Sequence, residues 1–440
     1  MTLSLVLHTH MPYVEGFGTW PFGEEWLWEA IATSYVPLVG VLDHAPGRVT
    51  VSVTPVLADQ LGAPGALERC ERFLREVRPE SHRLDLEAAR GDAGVTAALE
   101  DSAARYACAA DGVAGVGDGL LRHASWTSAA THPVLPLLAT GEGVRRQLAT
   151  GIASHRARTG AWSGGFWLPE CAHAPHLDPL LAAAGVGVTC VELTDVFGEG
   201  AREHLSPLRG APTLVPIDRA TIERVWGRDG YPAHAAYRDS HRLTGRRHRA
   251  WANDGAAYDP VRATAQVERD AADFVNAALE RLHDGGLCVC ALDTELLGHW
   301  WHEGVEWLAA VLERADAAGL PVVPLEEAVH WVEPAPPPSA LPVTSWGTPR
   351  DLSTWSGPGA RGLAWRQRSA ELRVARDPAP SDRALRELLA LQGSDWAFQL
   401  THALAGDYPL ERIAGHEREL TAALERERPA RLRSLAPHLA

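Results

Sequence analysis

The sequence predicts an α/β fold built on a parallel sheet, followed by a helical C-terminal region. Three observations carry this. Across residues 1–333, short apolar segments alternate with longer helical patterns, the signature of strands joined by helical crossovers. His8, Glu170, Glu192 and Asp293 each fall at the C-terminal end of a predicted strand, where parallel sheets gather their functional side chains. Glu333-Pro334-Ala335-Pro336-Pro337-Pro338 is a stiff linker signal, and the residues beyond it are helical and rich in Arg and Glu. The expected organisation is a unit at 1–333 with a helical insertion at about 62–121, a Pro-rich linker at 334–342, and a helical domain at 343–440.

In chain order, residues 3–7 form a first strand that runs into His8-Thr9-His10-Met11-Pro12. Residues 23–42 read as a helix containing Trp26, Trp28 and Tyr35, with Pro37 expected to kink or break it. The Val/Thr content of 49–56 predicts a second strand, and helical patterns dominate 67–121 and 143–159. A short buried strand then delivers Glu170, followed by a helix at 176–185 and a strand at 187–191 that ends at Glu192. Residues 197–255 are rich in Arg, His and Gly and read as an irregular, mobile segment beside the functional site. A helix at 260–283, a strand at 287–292 ending in Asp293, a helix at 303–318 and a strand at 321–324 complete the series.

Composition removes several functions. The chain contains no lysine, all 41 basic residues being arginine, which excludes Schiff-base chemistry, pyridoxal phosphate anchoring and a Walker-type phosphate loop. A net charge of −15 argues against nucleic acid and anionic membrane surfaces as partners. No apolar run is long enough to span a membrane. The N-terminus enters a strand pattern without a basic region, so no secretory leader is expected. Six scattered cysteines read as reduced thiols, which predicts a cytoplasmic protein. Sixteen tryptophans outnumber seven phenylalanines, and flat indoles with one donor suit stacking on sugar faces.

Glu170 is a lone carboxylate inside Gly165-Phe166-Trp167-Leu168-Pro169-Glu170-Cys171-Ala172, and an acid among large apolar residues has either a partner or a task. Asp293 answers it at the end of six apolar residues. Two strand-end carboxylates with indole neighbours point to a paired-carboxylate site acting on a sugar, and their separation would decide between retention and inversion. The alternative is two separately satisfied buried acids, with Asp293 as a helix cap. His8-x-His10 admits three readings: metal ligands together with Glu170, Asp293 or His299; donors to sugar hydroxyls; or structural histidines. Trp300, Trp301, Trp346 and Trp355 are candidate stacking platforms, although any single one is more often core.

Taken together, these segments resemble glycoside hydrolase family 57, and within it the 1,4-α-glucan branching enzymes. The matching motifs are His8-Thr9-His10-Met11-Pro12-Tyr13-Val14 with Glu24-Glu25-Trp26, and Thr131-His132 with Leu135-Pro136-Leu137. They continue with Trp167-Leu168-Pro169-Glu170-Cys171-Ala172, Asp293-Thr294-Glu295-Leu296 with Gly298-His299-Trp300-Trp301, then Ser345-Trp346-Gly347 and Ser394-Asp395-Trp396. They run in family order over nearly the whole chain. The resemblance implies a distorted (β/α)7 barrel with a helical insertion, an all-α C-terminal domain and a retaining double displacement. Glu170 matches the nucleophile and Asp293 the general acid/base. His10 matches a histidine lining the donor subsite, and Trp346 and Trp355, with Trp251 and Trp20, match or stand in for tryptophans of the glucan groove. His8, His299, Trp300, Asp395 and Trp396 lie in the matching motifs and are carried over as substrate-binding residues.

The resemblance requires no metal and no cofactor. It implies an α-1,4-glucan such as amylose or a glycogen-like polysaccharide as substrate, and a monomer or homodimer. Two departures stand out. The chain is shorter than typical branching enzymes of the family, and residues 196–230 lack the tyrosine with which those enzymes shield the glycosyl-enzyme from water. Only Tyr231 and Tyr237 could serve. Loss of the shield would favour an α-1,4-glucan hydrolase or 4-α-glucanotransferase on the same site. A catalytically weak glucan-binding protein is the reading from another class.

Overall fold

The computed structural model describes residues 1–19, 22–427 and 434–440. Among the described residues seven strands form the sheet: β1 (Thr2–Thr9), β2 (Thr50–Val53), β3 (Ala124–Ser128), β4 (Phe166–Trp167), β5 (Val188–Val191), β6 (Thr213–Pro216) and β7 (Leu287–Asp293). All their pairings are parallel, in the order β4-β3-β2-β1-β7 with β5-β6 alongside. A parallel bridge from Gly165 to Val188 joins β4 to β5, and the Asp218 N–H donates to the Val289 carbonyl at 2.8 Å to join the end of β6 to β7. The curled sheet is a (β/α)7 barrel, with the chain's helices on its outside and beyond its ends.

The central strands are buried because they have helices or barrel interior on both faces, hence their continuous apolar runs. β1 is buried along its whole length, as is β7 until Asp293. Sealing each such Leu or Val contributes about 1.5–3 kcal/mol. Parallel register sets His8 directly opposite Asp293, so two site residues share one end of neighbouring strands.

Three expectations need correction. The helix expected at 23–42 does form, as Glu24–Ala30 and Val36–His44, but a π-turn over Ile31–Tyr35 joins them and Pro37 opens the second helix instead of breaking the first. Pro37 has no N–H to give, so the π-turn accommodates it. The segment 197–255 is not simply irregular: it contains β6 and the helix Arg219–Trp226, whose N-cap Asp218 accepts from the Thr221 N–H at 3.0 Å. Four residues bounded by prolines are too short for a readable strand period. Conversely, the strand expected at 321–324 is a single bridge, Leu3 to Val322, beside the part of β1 that β2 does not reach.

Beyond residue 343 the helices Ser353–Ser356, Arg361–Ala375, Asp382–Leu391, Asp395–Thr401 and Tyr408–Leu424 build a second core. That core also takes in Tyr13, Val56, Ala130, Val134 and Ala172 from the barrel unit. Glu371 ties the two together: 3% exposed, it accepts the Ala139 and Thr140 N–H groups, both at 2.8 Å, and Gln392 Nε2 at 3.1 Å. The Pro-rich segment is pinned too, with Ala335 N–H on the Pro207 carbonyl and Arg209 N–H on the Ala335 carbonyl, each 2.8 Å. Among the described residues no helix is long and apolar enough to cross a membrane.

Candidate active site

β4 is only two residues long, and Pro169 turns the chain sharply after it. Glu170 sits at φ 61, ψ 20 and Cys171 at φ 50, left-handed conformations that cost non-glycine residues of the order of 1–2 kcal/mol. The strain is held by Cys171 N–H on the Leu168 carbonyl (2.8 Å), Ala172 N–H on Pro169 (3.0 Å) and Trp346 N–H on the Glu170 carbonyl (3.0 Å). Its effect is to turn the Glu170 side chain away from the apolar wall of the strand, where it accepts Ser394 Oγ–H at 2.7 Å on one oxygen and Trp346 Nε1–H at 3.1 Å on the other. Both donors lie in the region beyond 343.

The turn carrying Trp346 is built for this. Thr344 and His173 exchange N–H and carbonyl bonds at 2.9 Å, running the segment antiparallel to 170–173. Gly347 lies so close to the Trp355 ring that a Cβ would come within 2.8 Å of it. Glu192, the acid at the end of β5, is engaged here. It pairs with Arg219 (Nε at 2.9 Å) and accepts the Thr194 N–H at 2.7 Å, while the Thr344 hydroxyl donates to its carbonyl at 2.8 Å.

Asp293 ends β7 with no hydrogen bond to its carboxyl among the described residues. The segment after it is clamped to the π-turn: Ser34 Oγ donates to the Thr294 carbonyl at 3.1 Å, and the Tyr35 hydroxyl donates to Glu295 Oε1 at 2.5 Å. Glu295 also accepts the His10 N–H at 3.0 Å. Gly298, at φ 92, passes so near Thr33 that any Cβ would overlap its carbonyl oxygen, the very carbonyl that Pro37 cannot serve. Arg249, from the 197–255 segment, holds the His299 carbonyl at 2.7 Å.

Three imidazoles fill the floor between the acids. His10 stacks on His132 at 4.0 Å between ring centres, His8 lies 4.9 Å from His132, and the far face of His8 rests on Trp167 at 4.9 Å. His10 Nε2 meets Asp395 at 3.0 and 3.2 Å and its Nδ1 meets Thr54 Oγ1 at 3.1 Å. His8 Nε2 and His132 Nε2 are 2.9 Å apart, and His132 Nδ1 is 3.0 Å from Ser394 Oγ.

The electrostatics separate the two acids. Burial raises Glu170 above the ordinary glutamate range, but the Ser394 and Trp346 hydrogen bonds pull it back by favouring the ionised form. Asp293 has no such help: burial first, then repulsion from Glu170 and Asp395, push it up to about 8. Its carboxyl does keep accessible surface towards the cleft, so water there screens part of the effect, while dense protein on its other sides sets the direction. Burial and Asp293 likewise push Glu295 up to about 8. Burial opposes a charge on His10, yet Asp395, Glu295 and Glu170 together raise its proton affinity. His8 and His132 are driven well below the ordinary histidine value by burial and by His10, and stay neutral.

The remaining expected residues divide. Asp395, His8 and His10 join the cluster, as does Trp346. Trp300 is 45% exposed and lies edge-on to His299 at 5.2 Å. The Thr33 hydroxyl is spent on the Glu29 carbonyl at 2.7 Å, so His299 must donate from Nδ1 to Thr33 Oγ1 at 3.3 Å, leaving its Nε2 free to accept. Trp251 is half-buried beneath the Arg242 guanidinium at 4.2 Å. Trp355 and Trp396 correct the expectation of substrate contact: at 2% and 1% exposed they have no face to offer, and Trp396 donates to the Ala390 carbonyl at 2.9 Å. They support the residues that line the cleft. The Tyr231 hydroxyl is bonded to Asp273 at 2.7 Å and that of Tyr237 to Asp270, so helix Pro260–Arg281 holds both rather than the cleft. Trp20 lies outside the described residues. Sequence reasoning passed over His132, Ser394, Glu295 and Tyr35, although the first three stand within the quoted motifs. A separate cavity of about 760 Å3 between helices Arg78–Ala88 and Ala93–Gly112, lined by Leu74, His82, Leu86 and Tyr106, carries no such pairing of acids.

Known proteins share this fold. Residues 126–335 match the model of glycosyl hydrolase family 57. A protein named 1,4-alpha-glucan branching enzyme from Thermococcus kodakarensis is 30% identical over 491 aligned positions, covering 95% of this chain and 72% of its own length. A probable 1,4-alpha-glucan branching enzyme of Mycobacterium tuberculosis is 32% identical, covering 98% of this chain and 94% of its own. The crystal structure of a branching enzyme of this family from Pyrococcus horikoshii superposes with a TM-score of 0.89 at 29% identity, over 99% of this chain and 93% of that one. On these matches and this fold, the chain belongs to glycosyl hydrolase family 57.

Proposed function

We propose that the protein is a 1,4-α-glucan branching enzyme that works by retaining double displacement, with Glu170 as nucleophile and Asp293 as general acid/base. The observation that carries the assignment of roles is the unequal surroundings of the two acids. Glu170 receives two hydrogen bonds that favour its anion, as a nucleophile needs. Asp293 receives none among the described residues and is pushed up to about 8, so it enters the reaction protonated. The relatives named as branching enzymes support the choice of reaction.

In the first step a Glu170 oxygen attacks C1 of an α-1,4-linked glucosyl unit, and the C1–O4 bond breaks. Asp293 gives its proton to the departing O4, which leaves as the 4-hydroxyl of the released chain. In the second step Asp293, now a carboxylate, takes the proton of an acceptor 6-hydroxyl. That oxygen attacks C1 and Glu170 departs as a carboxylate. Two inversions at C1 return the α configuration as an α-1,6 branch, and Asp293 regains its proton. Trp346 forms one wall beside Glu170 and Trp300 offers an open indole face for sugar stacking. The reaction is assigned to the cytoplasm, in keeping with six unpaired cysteines.

One observation favours a second reading. Both tyrosines that could shield the intermediate are tied to Asp270 and Asp273, which leaves water a competitor and hydrolysis or 4-α-glucan transfer an outcome of the same two acids. Proton NMR of amylose treated with the enzyme separates them. Branching gives a growing α-1,6 anomeric signal with few new reducing ends; reducing ends without α-1,6 signal would assign the hydrolase.

Glu170→Ala is expected to lower turnover at least 10⁴-fold, on the order of losing a catalytic nucleophile, and added azide should restore it with formation of a β-glycosyl azide. An α-glycosyl azide, or no rescue alongside substantial residual branching, would remove Glu170 from the role. The pH profile of kcat/KM should fall on the acid side as Glu170 takes up a proton, above the ordinary glutamate value of about 4.3. It should fall again near pH 8 as Asp293 loses its proton. Asp293→Asn should abolish the alkaline limb along with about 10²–10⁴-fold of activity.

A further inference from the structure

Glu170 is held through more than its nearest neighbours. Ser394 Oγ donates its single proton to Glu170, so at 3.0 Å its oxygen must accept His132 Nδ1–H. His132 is neutral and has no second proton, which leaves Nε2 as a lone pair; the 2.9 Å contact to His8 Nε2 must then be filled by the proton of His8. His8, neutral as well, presents a bare Nδ1 to Ser52 Oγ at 3.3 Å, and Ser52 donates. Every direction follows from the one before it. All four residues are at most 3% exposed, so water offers them no alternative partner.

We propose that Ser52, His8, His132 and Ser394 act as a directed hydrogen-bond chain, from β2 to the Glu170 carboxylate, that sets how readily Glu170 stays ionised and where it points. The proposal rests on the reading of Glu170 as nucleophile. When Glu170 takes up a proton it becomes the donor, and each link reverses in turn: Ser394 donates to His132 Nδ1, His132 Nε2–H to His8 Nε2, and His8 Nδ1–H to Ser52 Oγ. No proton leaves or enters the chain in this reversal; both imidazoles exchange one tautomer for the other. Around it, Asp293 faces Glu170 from β7, Asp395 from helix Asp395–Thr401, and Trp346 Nε1 from the segment beyond the linker. His10 lies stacked on His132 and paired with Asp395; burial first, and then the neighbouring His10, disfavour a charge on His132 and His8, which keeps them in the state the chain requires. Ser52 and His8 have no exposed surface, so they are positioning residues and not catalytic ones.

The test reads tautomers directly, by ¹⁵N NMR of the histidine-labelled full chain. At neutral pH His8 should carry its proton on Nε2 and His132 on Nδ1. In Glu170→Gln, the Trp346 indole at 3.1 Å can only donate, which turns the amide oxygen towards it and the amide N–H₂ towards Ser394. Both histidines should then invert, His8 to Nδ1–H and His132 to Nε2–H. Lowering the pH on the unmodified chain should produce the same inversion with the midpoint of the acid limb of kcat/KM. Ser394→Ala should uncouple both signals from pH and raise that limb by about half a unit to one unit. Tautomers unchanged in Glu170→Gln, a charged imidazole on His8 or His132 at neutral pH, or an unmoved limb in Ser394→Ala would each overturn the proposal. Failure here is distinct from failure of the nucleophile assignment, which would appear as an α-glycosyl azide, or as substantial residual branching without azide rescue in Glu170→Ala, while the tautomers still inverted.

Discussion

The site depends on one carboxylate held in a conformation the backbone resists. Glu170 sits in the left-handed region after a two-residue strand, and the hydrogen bonds that hold its side chain come from Ser394 and Trp346, 224 and 176 positions away. A barrel alone would present a strained acid without donors, and the helices beyond 343 alone would present donors without an acid. Strain of this kind persists only where surrounding structure over-determines it. The shared core around Tyr13, Ala130 and Trp355, the Glu371 latch and the 344–346 ladder supply that determination. The helices and turn beyond residue 343 therefore supply the donors that the barrel's Glu170 carboxylate accepts.

The second acid is governed by the opposite arrangement. Asp293 is carried by β7, one of the most regular parts of the fold, and receives no donor among the described residues, so burial and neighbouring charge decide its proton affinity. The close contacts lie in the segment after it, where the π-turn, Gly298 and Arg249 hold Glu295 and His299 beside the cleft. Two carboxyls at strand ends thus acquire different chemistry from the number of hydrogen bonds each receives, with no difference in their intrinsic acidity required.

The sequence made the two acids legible because each is a lone charge at the end of an apolar run, a local pattern that needs no knowledge of the fold. It also carried the barrel, since strand and helix alternation is local too. What it could not carry is contact order. Ser394 is one serine among many until the fold brings it to Glu170, and the orientation of His132 follows from Ser394. Among the tryptophans, the choice between Trp346 in the cleft wall and Trp355 beneath it depends on the close approach of Gly347 to the Trp355 ring, a contact no local pattern encodes. Pro37 was a real signal, but its consequence, a π-turn that feeds Ser34 and Tyr35 into the site, depends on β7 lying opposite. The strand β6 was hidden for a simpler reason: four residues between prolines hold no period.

The most direct test of the account is to trap the covalent intermediate. Asp293→Asn incubated with an α-maltooligosyl fluoride needs no acid to release fluoride, yet lacks the base that activates an acceptor, so the glycosyl-enzyme should accumulate. Peptide mapping by mass spectrometry should then find the oligosyl mass on the peptide containing Glu170 and on no other. A label on a different carboxylate, Asp395 or Glu295 for instance, or fluoride release that inverts the anomeric centre without any covalent adduct, would contradict it.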